Sequence, residues 1–188
     1  MKWLMQNQLF FLKGDRMKIA VIGYSGSGKS TLAKKMHDVY QLPLLYLDTV
    51  QFENGWKERD RDEAVSIVRQ FMSQSNWIID GNYKSFLQKE RMASADKIVF
   101  MDFSRWNCLY RAVHRYFQYR HTSRESIASG CMEKMDAEFI WWILYKGRTG
   151  EKRQRYQQIM RKYPEKITVI RKQKELDAFE EEMFGRTE

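Results

Sequence analysis

Between the apolar run MKIAVI and the segment TLAKKMHDVY lies GYSGSGKS, Gly23 to Ser30, and no other stretch of the chain restricts its fold so tightly. Its residues keep the spacing of a phosphate-cradling loop: Gly, four residues of any kind, Gly, Lys, then Ser or Thr. The flanks supply the required order. Lys18 to Ile22 is a short β-branched run suited to a buried parallel strand, and Leu32, Met36 and Val39 follow at helical spacing. A strand, a glycine loop and a helix in that order aim backbone N–H groups at an anion, because the first turn of a helix has no internal acceptors for its own donors. Gly23, Ser25, Gly26, Ser27, Gly28, Lys29, Ser30 and Thr31 are therefore expected to surround the phosphates of ATP, with Lys29 on the β- and γ-phosphates and Ser30 on Mg²⁺.

A chain of 188 residues suits one α/β domain with a substantial core. It contains no apolar run of transmembrane length and no repeat, so a membrane is not an expected partner. Two cysteines, Cys108 and Cys131, fit reduced thiols in a cytoplasmic protein, and no Cys/His spacing suggests zinc. The first sixteen residues, MKWLMQNQLFFLKGDR, lack an uninterrupted apolar core and a small-residue cleavage site, so they read as an extension rather than a signal peptide. The domain proper is expected over residues 17–188.

Further apolar runs end in acids: LPLLYLD at Asp48, NWIID at Asp80 and DKIVFMD at Asp102, while KITVIR supplies a late fifth strand. Helix-like stretches lie between them, over Arg59 to Gln74, Ser85 to Ala93 and Ser104 to Arg120. This β-α alternation predicts a three-layer α/β fold, a mostly parallel five-stranded sheet with helices on both faces. Ligands of such sheets bind beyond the carboxyl ends of the strands, which gathers the three acids at the edge that carries the glycine loop. An Asp there either holds Mg²⁺ or accepts the proton of an attacking hydroxyl, although singly it also serves as a helix cap or turn residue. Asp80 and Asp102 are the metal candidates, and Asp48 is the acceptor-side candidate.

Arg111 and Arg115 are four apart and share a helical face, with Trp106, Leu109, Val113 and Phe117 available to pack elsewhere around the helix. With Arg120 and Arg124 beyond them, they predict a helical, arginine-bearing lid over about residues 111–147 that grips the transferring phosphoryl group. His114 and His121 read as surface or packing histidines. The formal charge of +9 is uneven: Arg105 to Lys174 holds 17 Lys/Arg against 6 Asp/Glu, whereas the rest of the chain holds 16 against 18. The phosphates of a nucleotide and the backbone of a nucleic acid would both suit that excess, and so would plain solvated helix faces.

The stretches IGYSGSGKSTLAKKM, LYLDTVQFENGW, WIIDGNY, ADKIVFMDFSRWNCLYRAVHRYFQYR, GCMEKMDAEFIWW and ITVIRKQKELDAF make the chain resemble the bacterial DNA topology modulation (FlaR-like) proteins, among the adenylate-kinase-like P-loop kinases. The resemblance runs from about Lys18 to Phe179. It implies that the Asp of the Asp-Gly pair, here Asp80, orders the hydration shell of Mg²⁺, that Asp48 approaches the acceptor or the metal, and that Arg111, Arg115, Arg120 and Arg124 grip phosphates. Adenylate kinases follow Asp-Gly with Phe-Pro-Arg; here Asn82, Tyr83 and Lys84 stand in its place, which counts against adenylate as the acceptor. Two functional classes follow from the sequence. One is an ATP-dependent phosphotransferase acting on a small acceptor such as a nucleoside, a nucleotide or a related metabolite. The other is a regulatory P-loop NTPase acting on or near DNA, for which the sequence offers no helix-turn-helix, zinc-finger or basic-region pattern.

Overall fold

The computed structural model describes residues 16–119, 126 and 135–185. Strands β1 (Lys18–Gly23), β2 (Leu44–Tyr46), β3 (Trp77–Asp80), β4 (Lys97–Met101) and β5 (Ile167–Ile170) form one parallel sheet in the order β2-β3-β1-β4-β5. Eight α-helices accompany it among the described residues: α1 (Lys29–Tyr40), α2 (Leu47–Gln51), α3 (Arg61–Met72), α4 (Gln88–Ser94), α5 (Arg105–Tyr119), α6 (Ala137–Leu144), α7 (Gly150–Lys162) and α8 (Gln173–Phe184). This is the three-layer α/β architecture of P-loop NTPases.

Burial follows position in the sheet. Ile19 to Ile22 of β1 and Trp77 to Ile79 of β3 are fully buried, as a central strand covered on both faces requires, whereas β2 at the edge is only half-buried. The register sets Asp80 level with Val21 on one side and Tyr46 on the other. The Asp80 carboxylate is thereby fixed at the carboxyl end of the sheet, beside the exit of β1.

Local chemistry sets several boundaries. Asp60 starts α3 by accepting from the N–H groups of Asp62 and Glu63, and Asp136 starts α6 by accepting from Phe139. Two apolar expectations change. Val39 is 48% exposed, because Tyr40, one residue on, takes the inward place in the last turn of α1, with its ring against Phe184. Strand β2 stops at Tyr46, so Asp48 lies in the first turn of α2 rather than closing a strand. Most of the extension expected over residues 1–16 lies outside the described residues. Among those residues no helix is long and apolar enough to cross a membrane.

Candidate phosphate-binding site

The glycine loop leaves β1 at Gly23 and enters α1 at Lys29. Inside it the Ser27 N–H donates to the Tyr24 carbonyl at 3.1 Å, and the Lys29 ammonium reaches back to the same oxygen at 3.0 Å. Gly26 has φ 77°, and a Cβ there would lie 2.4 Å from the Cys108 carbonyl oxygen. Only glycine tolerates both the dihedral and the approach. The facing surface of α5 is correspondingly small: Cys108 and Ala112 are fully buried, while Trp106 and Phe117 are 66% and 65% exposed. Of the residues expected to pack, Leu109 lies against the core and Val113 is half-buried, while the two aromatics point outward. The loop leaves no room for them.

Ser30, in the first turn of α1, donates its hydroxyl to Asp80 Oδ2 at 2.6 Å. The chain then turns away from β3 through Gly81, at φ 137°, where a Cβ would stand 2.7 Å from that of Leu47. Asn82 clasps Gly23 at both ends of its residue: its Oδ1 accepts from the Gly23 N–H at 2.9 Å and its Nδ2 donates to the Gly23 carbonyl. The β3 exit is therefore bound directly to the start of the phosphate loop. Asp102, the third strand-closing acid, lies elsewhere. Its carboxylate faces the Arg171 guanidinium at 3.3 Å, and burial pushes its pKa up despite the lowering by Arg171 and Arg148. The structure brings Ser30 and Asp80 together and gives Asp102 a different partner.

A cleft of about 940 Å³ opens at the loop, lined by Gly26, Gly28, Lys29, Ser30 and Thr31 on one side and by Asn107, Arg111, His114, Arg115 and Gln118 of α5 on the other. Arg111 and Arg115 share the cleft wall. Arg111 is locked in place: it donates to the Ser27 carbonyl at 3.0 Å and to Gln173, and its guanidinium lies 4.1 Å from the Phe103 ring centroid. Burial lowers its pKa from the ordinary arginine value, opposed in part by the carboxylates of Asp177 and Glu180. Arg120 and Arg124 lie outside the described residues, as does much of the segment read as a lid.

Three further groups act on the loop without a sequence signal of their own. Trp142 of α6 donates its indole N–H to Ser25 Oγ at 3.1 Å. Arg148 stacks 3.7 Å over the Tyr24 ring and donates to the Phe103 carbonyl at 2.7 Å. Gln173 receives Arg111 from the far side of the cleft. Each is contributed by a segment more than a hundred residues downstream, so no local spacing could announce it.

At Asp48, the Tyr83 hydroxyl donates to Oδ1 at 2.8 Å, and the Tyr83 ring stacks on Phe86 with centroids 5.0 Å apart. Burial raises the Tyr83 pKa far above that of a free phenol, and the neighbouring Asp48 carboxylate, by charge and by accepting the hydrogen bond, raises it further. Tyr83 stays a neutral donor.

The residues present fit a nucleotide with Mg²⁺. The Ser30 hydroxyl and Asp80 carboxylate form an all-oxygen pair suited to a hard cation, which normally takes one or two protein groups plus water and phosphate. Ser27 Oγ is buried in the loop with no hydrogen-bond partner among the described residues, a polar atom at the place where phosphate oxygens are expected.

No protein-family model matches the sequence, and no curated protein matches it. Solved structures do resemble the fold. One is an uncharacterized protein from Eubacterium ventriosum, at TM-score 0.51 and 17% identity, with 90% of this chain and 99% of that one covered. Another is a gluconokinase from Sinorhizobium meliloti, at TM-score 0.49 and 16% identity, with 90% of each chain covered. The first places the topology among known folds along almost the whole length of both chains.

Proposed function

We propose that this protein is an ATP-dependent phosphotransferase that moves the γ-phosphoryl group of ATP to a small acceptor, a nucleoside, a nucleotide or a related metabolite, in keeping with its resemblance to adenylate-kinase-like kinases. The observation that carries the reading is the 2.6 Å bond from Ser30 of the phosphate loop to Asp80 at the end of β3, with Lys29 and Arg111 beside it. A glycine turn that bound nothing would have no use for a buried carboxylate tied to its serine. Asp80 is 5% exposed, and placing a carboxylate there is unfavourable unless partners or a cation compensate.

The roles divide by position. Backbone N–H groups of the loop and the N-terminus of α1 hold the phosphates, and Lys29 stabilises charge developing on the transferring group. Arg111 and Arg115 face it from α5 and orient it. Ser30 and Asp80 would hold Mg²⁺, which supplies neutralisation of phosphate charge. Asp48, oriented by the Tyr83 hydroxyl, takes the proton of the attacking acceptor hydroxyl.

The test is acceptor-dependent ADP formation across nucleosides, nucleoside monophosphates and sugars. A phosphotransferase gives ADP in proportion to one class of acceptor, with a phosphorylated product. Release of phosphate at the same rate whatever acceptor is added would replace this reading with a nucleotide-hydrolysing switch. Asp48→Asn should lower transfer by about 10²-fold or more while leaving ATP affinity unchanged, as expected when a general base is lost. Loss of ATP binding in that variant would remove Asp48 from the acceptor side.

A further inference from the structure

Arg91 is the one charged side chain among the described residues that is completely buried, with 0% exposure. Among the described residues no carboxylate forms a salt bridge with it. Its guanidinium is spread over three main-chain oxygens of a single loop: Nη1 donates to the Gly81 carbonyl at 3.2 Å, Nη2 to the Tyr83 carbonyl at 2.9 Å and Nε to the Phe86 carbonyl at 2.8 Å. Gln88, also buried, donates to the Asn82 carbonyl of the same loop at 3.2 Å. A buried guanidinium is costly, and burial pushes its pKa down to about 10 against the opposing field of Asp80 and Glu90. Simple packing of α4 would be served better by an apolar side chain of the same volume.

The placement supplies the reason. The Gly81 carbonyl belongs to the residue directly after Asp80, the Tyr83 carbonyl to the residue whose hydroxyl holds Asp48, and between them Asn82 is fastened to Gly23. One planar fork therefore fixes the loop that sets both site carboxylates. We infer that Arg91 is a positioning residue of the phosphotransfer site, holding the β3 exit loop so that Asp80 meets Ser30 in the geometry that takes Mg²⁺ with ATP. The inference rests on the reading proposed above. Lysine cannot replace the fork, since its ammonium is a point donor and cannot span three carbonyls in a plane.

The probes are ATP alone, and ATP with Mg²⁺ titrated from micromolar to tens of millimolar, on the full chain by calorimetry. For Arg91→Lys, ATP without metal should bind as in the unaltered protein, while the Mg²⁺ midpoint for tight binding rises by about 10- to 100-fold, the usual effect of removing a group that orients a metal ligand. A purely structural role would lower the melting temperature and leave that midpoint in place. A folded Arg91→Lys protein with an unchanged Mg²⁺ midpoint overturns the inference. Should the variant fail to fold, the unaltered protein decides: the ¹⁵N resonance of the Arg91 Nε–H should shift when Mg²⁺ is added to the ATP-loaded protein and not when ATP is added alone, and an immobile resonance overturns the inference. If the unaltered protein binds neither ATP nor ATP with Mg²⁺, the phosphotransfer reading fails and takes this inference with it; tight, metal-dependent binding that ignores Arg91 removes the inference alone.

Discussion

The phosphate loop and the β3 exit loop lie side by side, joined through Asn82 and Gly23, and both are held by cations that donate to their carbonyls. The settings differ. At the phosphate loop Lys29 donates to Tyr24 and Arg111 to Ser27, and both side chains also line the open cleft. At the exit loop Arg91 donates to Gly81, Tyr83 and Phe86 and is sealed from solvent. The same chemical contact thus serves two ends. A cation that holds a neutral carbonyl at the edge of a cleft keeps its charge for an incoming anion, whereas one buried away from any ligand acts only on the backbone it binds.

Removing a cation from each region should therefore give different signatures, and the largest effect is expected at Lys29. Lys29→Ala should slow phosphoryl transfer by about 10²-fold, equivalent to about 3 kcal/mol of barrier, with little change in melting temperature. Turnover at the normal rate by this variant would break the comparison on the phosphate side. Arg91→Met should raise the Mg²⁺ midpoint and in addition lower the unfolding free energy by about 3 kcal/mol in urea titration, because the Gly81 and Phe86 carbonyls lose the fork and the Tyr83 carbonyl keeps only the 3.4 Å bond from the Phe86 N–H. A variant of unchanged stability would show that water or a shifted backbone replaces the fork.

Arg111→Ala should give a smaller loss, about tenfold in turnover at saturating ATP, since Lys29 and Arg115 remain in the cleft. If the α5 arginines served a nucleic-acid surface instead, this variant would lose affinity for duplex DNA and keep its turnover. The smallest effect concerns Tyr83 and pH. Burial raises the pKa of Tyr24, Tyr40, Tyr83 and Tyr156 above the ordinary 10.0, that of Tyr40 to about 12. Below pH 10 both states keep these protons and stability is unaffected by them. Above it the unfolded chain releases protons that the folded protein retains, so stability falls as pH rises, by about 1.4 kcal/mol per pH unit for each such tyrosine until its folded pKa is reached. Tyr83→Phe should flatten that slope by one proton; an identical slope would mean that Tyr83 ionises freely in the fold.

Parts of this comparison were visible in the residues alone. GYSGSGKS announced its loop because glycine positions, lysine and serine act through local backbone geometry, and β-α alternation announced the parallel sheet because apolar periodicity reports local structure. Spacing likewise placed Arg111 and Arg115 on one face, and both line the cleft. The same reasoning placed Leu109 against the core but misjudged Trp106 and Phe117 of α5. Its aromatics looked like packing residues, yet contact with a glycine loop selects small side chains, and Cys108 and Ala112 are what the loop meets.

What the sequence by itself determined, then, is whatever depends on neighbours within a few residues: the strand-loop-helix unit, the alternation of layers and the face shared by two arginines. The tertiary structure decided which of the three acids that follow apolar runs joins Ser30: Asp48 falls in a helix, Asp102 meets Arg171, and Asp80 reaches the loop serine. It also decided the part played by Arg91. In QKERMAS that arginine reads like any surface residue of a short helix, and its function exists only where the loop of residues 81–86 folds back over it and presents three carbonyls to one guanidinium.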